Sequence, residues 1–147
     1  MTMPIQRIAH PRRYPPRITE FTQRFWDALM QGRFLVTRCA RCDHSSFPPK
    51  PICPICWATD INWSEVDTTG QVYSWTRVHA GPAIFDPDLP YAIGIVDLDV
   101  GIRLACPLVG EGTAWRCGMA VELITYIYDD GPFYAATPIE ASLICHS

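Results

Sequence analysis

No stretch of this sequence is apolar for long enough to cross a bilayer, because Pro, Gly or Asp breaks every nearly uncharged run before the roughly 20 residues such a span needs. Residues 1–17 carry Arg7, Arg12, Arg13 and Arg17 among prolines and lack an apolar segment, which excludes a secretory signal there and leads to the expectation of a cytoplasmic address. Charge is scarce: 18% of residues against 48% apolar, which excludes the charged, low-hydropathy composition of disorder and fits a globular chain with a real core. There is no G-x-G-x-x-G, no phosphate loop and no G-x-S-x-G, so dinucleotide, P-loop and α/β-hydrolase chemistry lack their motifs. Internal repeats are absent as well. After residue 50 the cations are only Arg77, Arg103 and Arg116, a poor supply for a surface built to grip nucleic acid.

The charge that is present is polarised. Residues 1–50 hold nine Lys or Arg against three Asp or Glu, a balance of +6, whereas residues 51–147 hold three against twelve, a balance of −9, giving the net −3 of the chain. A basic half of this kind fits an acidic partner or a polyphosphate, and a solvated arm with no ligand fits equally well.

Four segments follow from the pattern. Residues 1–33 form an arm and a helix: the Pro- and Arg-rich arm should be extended or mobile unless a partner orders it, and the helix has Thr19 as cap, Phe21, Phe25, Trp26 and Leu29 on one side and Gly32 as its stop. Residues 34–66 hold paired cysteines, with a short strand at Phe34 to Arg38 and the Pro48-Pro49-Lys50-Pro51 turn. Residues 67–140 read as all-β, with strands over Val72 to His79, Tyr91 to Leu98, Ile102 to Val109, Met119 to Tyr128 and Phe133 to Thr137, and turns at Asp99-Val100-Gly101 and Asp130-Gly131. Five such strands suit a partly open Greek-key barrel better than a sandwich of about seven. Residues 141–147 are a tail without structural signal.

Seven cysteines are an odd number, and four fall as Cys39-x-x-Cys42, ten residues, then Cys53-x-x-Cys56. Two residues between thiols let each pair curl into a knuckle whose sulfurs face one point, and two knuckles complete a tetrahedron at about 2.3 Å from zinc. With all four corners filled by sulfur, no position is left for water or substrate, so the expected cofactor is structural Zn²⁺; a rubredoxin-like iron site and a redox dithiol are the alternatives. Such a metal contributes folding free energy on the order of 10 kcal/mol.

The remaining chemistry is thin. His44 lies beside a complete ligand set and reads as a loop residue near a thiolate. Cys106 and Cys117 read as small packed residues. Cys145-His146 are adjacent in the tail and lack the scaffold to act as nucleophile and base. His79 is the best-placed general base, although a strand-end histidine bonded to backbone is the ordinary reading, and Asp97 with Asp99 resembles a carboxylate pair in what is ordinarily a solvent-facing turn. No catalytic constellation emerges, and no cofactor-binding residues beyond the four cysteines are assigned.

The order of helix, four-cysteine ribbon and barrel resembles the DUF35 family of small OB-fold proteins with an N-terminal rubredoxin-like zinc ribbon. The matching residues are Phe25-Trp26 with Leu29, Arg38-Cys39 to Cys42, the Pro-Pro run, Cys53-Pro54-x-Cys56, Gly70-x-Val72-Tyr73-Ser74-Trp75-Thr76, Pro90-Tyr91 leading to Ile95-Val96-Asp97-Leu98, and Gly118-Met119-x-Val121. Asp43 stands where glycine is common after the first knuckle, and Asp tolerates the left-handed turn. The resemblance implies a mainly β fold and a non-catalytic, zinc-binding scaffold subunit of an acyltransferase. The catalytic cysteine is then expected in a thiolase-like partner, with a ketosynthase-like chain in the same hetero-oligomer. Within the family the chain is most similar to small subunits of complexes that move an acetyl group onto a phloroglucinol-type aromatic carbon in antibiotic biosynthesis, which raises acyl-CoA or an aromatic substrate as an interface ligand. Two other classes stay open: an acyl-CoA-binding module, and a single-stranded nucleic-acid-binding OB-fold using Tyr73, Trp75 and Tyr91 as a stacking platform.

Overall fold

The computed structural model describes residues 2–110 and 112–139. Its centre is a five-stranded barrel. The strands are β5 (Thr69–Val78), β6 (Tyr91–Leu98), β7 (Arg103–Leu108), β8 (Ala120–Tyr128) and β9 (Gly131–Pro138), preceded by β1 to β4 in the arm and ribbon. They pair in the order β8-β5-β6-β7-β9, and an antiparallel β8–β9 hairpin closes the circle. The β7–β9 contact is parallel and rests on one pairing, Leu108 with Ala136, whereas β8 and β9 run side by side from Val121–Pro138 to Tyr128–Gly131. This is the Greek-key connectivity of an OB-fold.

Alternation decides which side chains enter the barrel. Ala92, Val96 and Leu98 of β6, Leu104, Cys106 and Leu108 of β7, and Val121, Leu123 and Ile127 of β8 are buried at every second position. Gly70 is required by close approach: a Cβ there would collide with the Asp97 carbonyl oxygen of the neighbouring strand. Gly101, at φ +91°, closes the tight turn between β6 and β7, its amide donating to the Leu98 carbonyl at 2.9 Å.

The ribbon sheet is β2 (Leu35–Cys39) between β3 (Ser45–Ser46) and β4 (Ile61–Glu65). Helix α1 (Gln23–Leu29) locks it to the barrel. Phe25 is the joint, packing edge-on against Phe34 of the ribbon at 5.3 Å and Tyr134 of β9 at 6.1 Å, with Phe47 at 5.4 Å. Phe25, Leu29, Phe34 and Val36 belong to the same buried cluster as Val72, Val96 and Leu123, so helix, ribbon base and barrel share one core.

One expectation needs correction. The helix begins at Gln23, not after Thr19, because the hydroxyls of Thr19 and Thr22 each accept the other's backbone amide, at 3.1 and 2.9 Å, and so form a separate turn first. The arm is extended as expected but is tied down within the chain: β1 (Ile5–Arg7) pairs in parallel with Thr125 to Ile127 of β8. Arg12 then grips the β8–β9 turn, its amide donating to the Asp130 carboxylate and its guanidinium to the Asp130 carbonyl, both at 2.8 Å. Among the described residues no helix is long and apolar enough to cross a membrane.

Candidate metal centre

Each knuckle builds itself from the same local bonds. The Asp43 amide donates to the Cys39 carbonyl and the Cys39 amide to the His44 carbonyl, both at 2.9 Å; Trp57 with Cys53 and Cys53 with Ala58 repeat the pattern at the same distance. The turns face one another and bring the four sulfurs within 4.8 Å of one another. Cys39 to Cys56 and Cys42 to Cys53 are each 3.5 Å apart. A tetrahedron with metal–sulfur bonds of about 2.3 Å has edges of about 3.8 Å, so the spacing fits one zinc ion.

The electrostatics of the donor set ask for a cation. Backbone amides point at the first thiol of each knuckle: Arg41 and Cys42 at Cys39, and Ile55 at Cys53, all at 3.4 Å. Donation from the Cys42 amide lowers the Cys39 thiol below its ordinary range, and donation from the Cys56 amide draws Cys53 down to about 6. Cys42 goes the other way. The His44 amide favours its thiolate, but burial and the crowding of Cys53, Cys56 and Cys39 outweigh that and push it up to about 12. Four thiols this close cannot all ionise unaided, and a divalent ion resolves the conflict. Since every ligand position is sulfur, the metal is structural.

The other candidate residues do not converge. His44 contributes its backbone, and its ring is not among the clustered ligands. His79 is exposed beyond the end of β5. Asp97 is bound by Arg103 across the β6–β7 ladder at 2.6 and 3.1 Å, which holds its carboxyl below the ordinary range, while Asp99 accepts from the Thr69 hydroxyl at 3.2 Å. The two carboxylates therefore have separate partners. Tyr73 has the Arg103 guanidinium 3.7 Å above its ring, so that face is covered. Cys106 lies in the barrel wall, where burial pushes its thiol up to about 12, and Cys117 is exposed. Cys145 and His146 lie outside the described residues.

One feature gave no signal in the sequence. A cleft of about 750 Å³ opens on the barrel beside the thin β7–β9 seam. It is lined from the β5–β6 loop, four barrel strands and the arm, pieces drawn from five separate stretches of chain.

Comparison with known proteins places the whole arrangement. Residues 26–62 match the rubredoxin-like zinc ribbon domain of ChsH2, and residues 63–125 match the ChsH2 C-terminal OB-fold domain. The chain is 32% identical to a DUF35 domain-containing scaffold protein of Methanocaldococcus jannaschii over 74% of its own length and 79% of that protein's. It is 31% identical to the benzoylsuccinyl-CoA thiolase subunit BbsA of Thauera aromatica, covering 74% and 76% of the two chains. A probable enoyl-CoA hydratase alpha subunit of Thermomonospora curvata is 41% identical over 88 residues, and there the match spans only 27% of the longer protein. Among solved structures, a chain of the Ltp2-ChsH2(DUF35) aldolase superposes with a TM-score of 0.75 at 32% identity, over 84% of this chain and 98% of that one.

Proposed function

Because the chain belongs to the DUF35 family, in which a rubredoxin-like zinc ribbon precedes an OB-fold, we propose that it is a non-catalytic scaffold subunit whose catalytic partner is a thiolase-type enzyme. The closed sulfur site carries this reading: a metal with no open position holds shape and performs no chemistry. One relative supports the partner class by name, as a thiolase subunit, and a second is a chain of an aldolase, so a catalytic partner of another chain is common to both. The finer reading is an acetyl transfer to a phloroglucinol-type aromatic carbon, with a ketosynthase-like chain completing a cytoplasmic assembly in antibiotic biosynthesis. It rests on the motif resemblance of the sequence.

Co-expression with thiolase-like and ketosynthase-like chains of the same organism tests both levels. The chain is expected to co-purify with them, to lack acyltransferase activity alone, and to be required for acetylation of phloroglucinol by the assembled proteins. Turnover by the isolated chain overturns the scaffold reading. An active complex that acylates other acceptors and leaves phloroglucinol untouched overturns only the finer one. At the barrel cleft the acyl-CoA-binding alternative finds its two arginines already paired, Arg12 with Asp130 and Arg13 with Asp88.

A further inference from the structure

The cleft beside the β7–β9 seam lies where OB-folds generally take ligands, framed by the loop after the first barrel strand and the turn between the fourth and fifth. Here these are the β5–β6 loop, which supplies Phe85 and Asp88, and the β8–β9 hairpin, which supplies Tyr128 and Phe133. Its volume of about 750 Å³ is that of a small-molecule site rather than a packing defect.

The walls are aromatic. Phe85 meets Tyr91 at 5.7 Å where the β5–β6 loop enters β6, and Tyr126 meets Tyr128 edge-on at 6.1 Å on β8, so ring faces and edges line the cleft for a planar guest. The hydroxyls of Tyr126 and Tyr128 have no hydrogen-bond partner among the described residues. Burial raises both above the ordinary phenol range, so they remain neutral donors at physiological pH. The two arginines at the cleft are committed: Arg12 to Asp130, and Arg13 to both carboxylate oxygens of Asp88 at 2.9 and 3.1 Å. A polyanion would have to break these pairs. Cys106 in the wall is a protonated thiol, which suits binding and not covalent chemistry.

We propose that this cleft binds a neutral, planar aromatic molecule carrying hydroxyl or carbonyl groups, stacked between the ring walls and hydrogen-bonded to the free tyrosine hydroxyls. The site belongs to this chain alone and does not depend on the partner reading. It gives the scaffold a ligand-holding role beyond assembly.

The test is calorimetric titration of the full-length, zinc-loaded chain with 2-naphthol, and with naphthalene-2-sulfonate as an anion of the same shape. Saturable one-site binding of 2-naphthol is expected, with the sulfonate at least about tenfold weaker, a difference of about 1.4 kcal/mol. Ile93 lines the cleft and is 37% exposed, so Ile93→Arg should fill it without unfolding the strand, and should weaken 2-naphthol by at least about tenfold. Tyr126→Phe removes only a hydroxyl and should weaken it several-fold. No saturable binding by the unmodified chain overturns the proposal, as does an Ile93→Arg protein with unchanged circular dichroism and undiminished affinity. Preference for the sulfonate also overturns it. Protection of the cleft only in the assembled complex, with no naphthol binding, assigns the groove to a partner segment instead.

Discussion

Asp43 and Trp57 occupy the same place in the two zinc knuckles, one residue past the second cysteine of each pair, and both hold left-handed backbone, at φ 68° and 65°. The turn geometry that aims the sulfurs forces this conformation. Asp accepts it at small cost because its short side chain bonds locally; Trp has no such relief. Trp57 is also 78% exposed, so packing does not compensate it.

Trp57→Gly should therefore leave zinc content unchanged and raise ribbon stability by up to about 1 kcal/mol, whereas β-branched Trp57→Val should lower it by about as much. Thermal unfolding of the two variants, with zinc measured by a metal-sensitive dye, checks the sign. A less stable glycine variant contradicts the strain account.

Phe25→Ala should cost about 3–5 kcal/mol, the usual penalty for deleting a buried aromatic. Because Phe25 touches helix, ribbon and barrel together, the loss should appear as one cooperative transition. Urea melts followed by circular dichroism and by zinc release should shift in parallel. Separation of the two curves would mean that ribbon and barrel hold separate cores.

Thr125 is fully buried in the barrel and its hydroxyl has no hydrogen-bond partner among the described residues. Thr125→Val keeps the shape and removes the unsatisfied group, so a gain of about 1–2 kcal/mol is expected. A loss on chemical denaturation would show that the hydroxyl is satisfied in solution.

The arm should loosen in acid. Donation from the Arg12 amide, with the charge of its guanidinium, holds the Asp130 carboxyl below its ordinary range. A lowered carboxyl stabilises the folded state above that range, about pH 3.9, and the contribution disappears as pH falls through the depressed value. Tryptic cleavage at Arg12 and Arg13 should stay slow at neutral pH and quicken in Asp130→Ala. Protection factors of residues 5–8, corrected for the intrinsic pH dependence of amide exchange, should fall below about pH 4. An arm equally protected in Asp130→Ala removes this anchor from the account.

What the sequence made legible was local. Cys39 to Cys56 fall within one short segment, so their spacing alone specifies the centre, and the period-two burial of β6 and β8 is visible residue by residue. The arm is different. Ile5 to Arg7 are all exposed and show no alternation, and their partners are Thr125 to Ile127. The grip of Arg12 on Asp130 and of Arg13 on Asp88 likewise joins residues more than seventy positions apart. The cleft exists only because these distant pieces meet, so no window of sequence contains it. The helix start is hidden for a nearer reason, since Thr19 and Thr22 cap each other and offer two beginnings in the sequence.

The parallel pairing of β1 with β8 also sets an order in time. During synthesis Ile5 leaves the ribosome long before Thr125, the residue it pairs with. The ribbon, with its ligands close together, has what it needs to close around metal early, while the arm must wait for the last hairpin of the barrel. The first strand among the described residues is thus among the last to be placed, and its arrival covers the β8 edge that would otherwise stay open to a neighbouring nascent chain.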